Sequence, residues 1–110
     1  MLVSKDERYT ADEFAAALRA EGIPASPHYI GKPIFLCHDA LAGRRIFGDS
    51  SFPFDHPNAR AGIRYAPGDC PVCEDVLARM VVLPMSEFFT ETDVRDMAAA
   101  VTKVANGLKR

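Results

Sequence analysis

The sequence predicts an α+β fold: a small, mostly antiparallel sheet of about three strands with three helices. Three observations lead there. Thr10-Ala11-Asp12-Glu13 and Thr90-Glu91-Thr92-Asp93 each have a helix-starting pattern, a hydroxyl followed three residues later by a carboxylate. The β-branched runs Leu2-Val3 and Val81-Val82-Leu83 are short and end at charges or at Pro84, so the sheet they build is small. The order of elements is β-α-β, a long loop, then α-β-α, without internal repeats.

Leu2-Val3-Ser4 reads as the last residues of a strand whose beginning is expected to precede Met1. A helix follows over residues 11–21, with Phe14 and Leu18 on one face and Gly22 as its left-handed stop. Pro24 and Pro27 push their predecessors into extended conformations and cannot donate to a ladder, so residues 23–29 form an edge strand or a loop. From Ile30 to Gly68 the chain is rich in Gly, Pro, Phe, His and Asp and lacks periodicity, as expected of a loop surface that rests on something else.

Pro71 suits the first helical position, which makes Cys70 the cap and puts Glu74 and Asp75 in the first turn, where carboxylates favour the helix dipole. Cys73, Val76, Leu77 and Met80 recur at helical spacing as the apolar stripe. In the last helix Val94, Met97, Ala98, Val101, Val104, Ala105 and Leu108 form a long seam. Lys103, Lys109 and Arg110 stand at its negative end.

With 110 residues the chain has the length of one domain with one core. Its 13 basic and 15 acidic residues leave a net charge of −2, without the basic footprint of a nucleic-acid binder or a membrane-surface helix. No apolar run is long enough to cross a bilayer, and the charged start MLVSKDERYT does not read as a signal peptide, so the cytoplasm is expected. Three cysteines are too few for a disulfide scaffold, so any chemistry they carry is redox or metal binding.

Cys70-Pro71-Val72-Cys73 at a helix start has the form of a redox pair, because free N–H groups lower a thiol pKa. A thioredoxin-like domain, however, places that motif early, whereas only one strand and one helix follow here. Cys37, His38, Cys70 and Cys73 would supply three sulfurs and a nitrogen to a tetrahedral zinc. The adjacency of Cys37 and His38 counts against this, since neighbouring side chains point apart. The preferred reading is that Cys70 caps and Cys73 packs. Ser26-Pro27-His28-Tyr29-Ile30-Gly31-Lys32-Pro33 holds three polar tips between prolines, and on spacing alone a solvated loop is favoured there. No Ser nucleophile elbow, phosphate-cradling Gly loop or His-Glu-x-x-His is present.

The helix end Leu18-Arg19-Ala20-Glu21-Gly22-Ile23-Pro24, the following His28-Tyr29, Cys70-Pro71-Val72-Cys73-Glu74, the strand end Val82-Leu83-Pro84 and the start Thr90-Glu91-Thr92-Asp93-Val94 form an ordered set. In order and approximate spacing, from Leu2 to the end, this set resembles the C-terminal domain of the DegT/StrS-type aminotransferases. These are pyridoxal-phosphate enzymes of the aspartate-aminotransferase fold that act on sugars or cyclitols. The resemblance implies that residues 1–110 are the small domain, and that the large pyridoxal-phosphate domain, with its Schiff-base lysine, would precede Met1. None of Lys5, Lys32, Lys103 or Lys109 has the family's lysine context. Only His28 and Tyr29 match a segment that approaches substrate, and residues 35–67 depart from shorter relatives. In the family the segment like Cys70-Pro71-Val72-Cys73-Glu74 starts a structural helix, which leaves Cys73 without a redox role.

The function so implied is amino transfer from glutamate or glutamine to a keto sugar or keto cyclitol. The partners would be the large domain and the second subunit of a homodimer, with no nucleic acid and no membrane. The isolated chain, without a cofactor of its own, is expected to be inactive. The competing class is a zinc-binding or protein-interaction module using Cys37, His38, Cys70 and Cys73.

Overall fold

The computed structural model describes residues 1–109; Arg110, expected among the cations of the last helix, lies outside them. The chain divides into two compact units, one made of residues 1–31 with the chain from Val76 onward, the other of residues 32–75.

In the first unit Thr10 opens helix α1 (Ala11–Ala20) with a complete capping box. Its hydroxyl accepts from the Glu13 N–H at 3.2 Å, and the Glu13 carboxylate accepts from the Thr10 N–H at 2.7 Å. Tyr9, just before the cap, stacks on Phe14 at 5.4 Å and fixes the angle at which the chain enters the helix. The helix ends at Gly22, whose φ of +82° lets its N–H reach the Arg19 carbonyl while the Ile23 N–H reaches that of Leu18.

The sheet is a two-stranded antiparallel ribbon of β1 (Ser26–Pro27) and β2 (Val81–Val82), with Ser26 opposite Val82 and Pro27 opposite Val81. On the other side of β2 the expected N-terminal strand is reduced to one bridge, Leu2 opposite Met80, flanked by backbone bonds Val3 to Arg79 and Val81 to Met1. The prolines on one side and the turn into Lys5-Asp6-Glu7 on the other prevent either edge from extending. The architecture is α+β as predicted, with shorter strands.

Helix α4 (Glu91–Leu108) opens with a second capping box, Thr90 with Asp93. It packs on α1 through its second half, where Val104 is buried and Val101, Ala105 and Leu108 adjoin the core. The predicted seam is thus covered only in part, and Val94 stays exposed. Val3, Phe14, Leu18, Ala25 and Val81 complete this core, and Leu18 and Val81 are fully enclosed.

The second unit holds two elements that lack a sequence signal, a 3₁₀ turn at Ile34–Cys37 and the one-turn helix α2 (Asp39–Ala42). Helix α3 (Pro71–Arg79) begins where Pro71 predicts, and the Cys70 carbonyl accepts its first helical bond from Glu74. The Glu74 carboxylate turns back to accept from the Gly68 N–H at 2.7 Å. One expectation is corrected here: Cys73 does not pack but is exposed, because the stripe becomes buried only further along, at Leu77. Among the described residues no helix is long and apolar enough to cross a membrane.

Candidate functional site

His28 leaves the sheet edge in a left-handed conformation, φ +65°, followed by Tyr29 at +53°. Two consecutive non-glycine residues in this region are strained unless their surroundings hold them. The holding groups are visible. The His28 N–H donates to the Met80 carbonyl at 2.8 Å, and its own carbonyl accepts from Gly31 at 2.8 Å. The His28 ring lies between the Leu77 carbonyl, 3.2 Å from Nδ1, and the Asp12 carboxylate, 2.8 Å from Nε2.

Both of these partners are acceptors, so the arrangement is best satisfied by an imidazolium with a proton on each nitrogen. The Asp12 bond accordingly raises the His28 pKa above the ordinary imidazole value; the Leu77 carbonyl acts in the same sense, and partial burial opposes them. His28 is therefore committed to the fold on both ring nitrogens. Tyr29 is not: its side chain stands 68% exposed on the fixed turn, where a phenol can meet a ligand.

Cys37, His38, Cys70 and Cys73 are not brought together as a metal site. Among the described residues no group of three His, Cys, Asp or Glu side chains is placed to hold a metal ion. The three cysteines are exposed and unbridged, and the Cys37 thiol faces the carbonyls of Lys32 and Pro33, each at 3.8 Å. The 3₁₀ turn directs it back along its own segment.

Pyridoxal phosphate does not fit the residues of this chain. The Lys103 amine is ion-paired with Glu21 at 2.6 Å and that of Lys109 with Glu7 at 3.1 Å, while Lys5 and Lys32 stand on exposed segments. None of these amines has the enclosed, phosphate-cradled setting that a Schiff base requires.

Sequence reasoning missed a cleft of about 420 Å³ in the second unit. Phe52, Pro53, Phe54, Ile63 and Tyr65 form its apolar walls, and Arg44, His56, Asn58 and Arg60 supply its polar edge. Tyr65 meets Phe54 edge-on at 6.1 Å and Phe35 at 5.9 Å, which fixes the rings against one another. Arg44 ends helix α2 in the left-handed position, φ +52°, with its N–H on the Leu41 carbonyl and the Arg45 N–H on that of Ala40. Its guanidinium then reaches the Phe54 carbonyl at 3.2 Å and Asp55 at 3.0 Å and lies 5.9 Å from the centre of the Phe54 ring. The available signal was the density of rings and prolines in Phe52-Pro53-Phe54-Asp55-His56-Pro57 between Arg44 and Arg60.

Comparison with protein-family models, with curated proteins and with solved structures finds no match to this chain.

Proposed function

We propose that the chain is the cleft-closing small domain of a pyridoxal-phosphate aminotransferase of the DegT/StrS kind, acting in the cytoplasm on a keto sugar or keto cyclitol with glutamate or glutamine as donor. The observation that carries this reading is the turn at His28 and Tyr29. The family resemblance assigns this segment to the substrate side, and here a half-buried histidine holds an exposed tyrosine in a fixed left-handed turn. Uncovered apolar side chains around the start of α4 support it as well: Phe88 is 84% and Met85 66% exposed, and Phe89 and Val94 are open beside them. Such a surface suits a small domain that rests on a larger one.

In this reading the chain's own residues bind and position, and the amine chemistry belongs to the large domain. Tyr29 offers its ring and hydroxyl to the substrate, while His28 holds the turn through Asp12 and Leu77. The test is to express the reading frame extended upstream of Met1. The extended chain is expected to show an imine absorbance band with pyridoxal phosphate and to transaminate a keto sugar. Tyr29→Ala in it should raise KM by about tenfold with a smaller change in kcat. The 110-residue chain alone should show neither band nor turnover. An extended chain that binds no pyridoxal phosphate, or turnover by the short chain, would overturn the proposal.

A further inference from the structure

The cleft of the second unit shares no residue with the turn at Tyr29, and the aminotransferase reading gives it no ligand, only a place on a loop surface. Its volume of about 420 Å³ lies within the range of small-molecule sites. Phe52, Phe54 and Tyr65 are flat side chains on its wall; Phe54 and Tyr65 pack against each other, and Phe52 meets the His56 ring edge-on at 5.7 Å. Such walls suit a planar ring body, which stacks or meets them edge to face.

The polar edge sets the charge of the occupant. The cleft lining contains two guanidiniums and no carboxylate, and the one carboxylate beside it, Asp55, is paired with Arg44. Arg44 is already engaged by the Phe54 carbonyl and by Asp55. Arg60 is not: among the described residues it makes no hydrogen bond or ion pair. The His56 Nδ1 accepts from the Asn58 N–H at 3.1 Å, so in the neutral ring the proton sits on Nε2, and His56 adds a donor to the cleft edge. A cation would be repelled. A neutral ring gains nothing from the Arg60 guanidinium, whereas a carboxylate or phosphate can take its paired N–H groups.

We propose that this cleft is a binding site for a small flat-ringed anion, an aryl carboxylate or aryl phosphate, with its ring between Phe52, Phe54 and Tyr65 and its anionic group on Arg60. The ring supplies contact area, and Arg60 selects for charge.

The test follows the amide and methyl signals of the full chain by NMR during titration with 2-naphthoate, with naphthyl phosphate, and with 2-naphthylmethanol as the uncharged control. At least one of the two anions should perturb Ala59, Ile63 and Tyr65 and bind about tenfold tighter than the alcohol. Arg60 is exposed, so Arg60→Ala should leave the remaining spectrum in place, reduce anion affinity to that of the alcohol, and leave alcohol affinity unchanged. Arg60→Lys should restore part of the difference. Which anion binds tighter identifies carboxylate or phosphate as the natural group. Equal affinity for anions and alcohol, equal binding by Arg60→Ala, perturbations confined to Phe88 and Val94, or no binding would each overturn the proposal. None of these outcomes bears on pyridoxal-phosphate binding by the extended chain, so the two readings stand or fall separately.

Discussion

His28 shows how a single side chain can serve the backbone. Both of its ring nitrogens face acceptors, and its main chain occupies a region that β-carbons avoid, so the ring bonds help to maintain the turn that presents Tyr29. Because its folded pKa is raised above the ordinary value of 6.5, the pair with Asp12 contributes its full stability below that pH and loses it as pH rises through the folded value. Urea midpoints of the native chain are therefore expected to fall as pH rises above about 6.5, and Asp12→Asn should flatten this segment of the profile. An unchanged slope in Asp12→Asn would mean that another group titrates there. The carboxylates of Glu13 and Asp93, held below their usual range by bonds to Thr10 and Thr90, act in the opposite direction: their contribution is present at neutral pH and is lost as pH falls.

At the scale of elements, legibility followed locality. Both capping boxes, the stop at Gly22 and the start at Pro71 were readable because each involves residues within about one helical turn of each other. Strand lengths were not readable, because pairing of Ser26 with Val82 is decided by residues far apart in the chain. Helix α2 escaped notice because a single turn has no period, and it forms where His38 and Asp39 carry no apolar stripe. Within α4, Gly107 is helical and a β-carbon placed there would meet nothing within 4 Å. Gly107→Ala should therefore raise stability by about 0.5 kcal/mol, read as a higher denaturant midpoint with an unchanged slope.

At the scale of the molecule, eight of the nine buried hydrophobic residues among those described belong to one small core. Leu18 is fully enclosed where α1, β2 and α4 supply the residues of that core, and its apolar character at helical spacing was visible in the sequence. Leu18→Ala should cost about 2–5 kcal/mol, a large share of what a domain of this size has, and be seen as loss of the cooperative thermal transition. The aromatic cleft was illegible at this scale for the opposite reason. Its walls come from successive turns at Ser51–Phe54, Pro53–His56 and His56–Ala59, and its order depends on Arg44 reaching ten residues forward to the Phe54 carbonyl. No periodic pattern records such contacts.

The bond between the His28 ring and the Leu77 carbonyl joins residues 49 apart in the chain, so the polypeptide departs from the core and re-enters it at neighbouring points. Everything from Lys32 to Asp75 is in effect a tethered ring closed by that junction. The entropy of closing such a ring grows only logarithmically, about 0.6 kcal/mol for each doubling of its length. Segments can be lengthened, trimmed or exchanged within it at little cost to the body that anchors them, which makes the excursion the part of the molecule most free to acquire a new ligand.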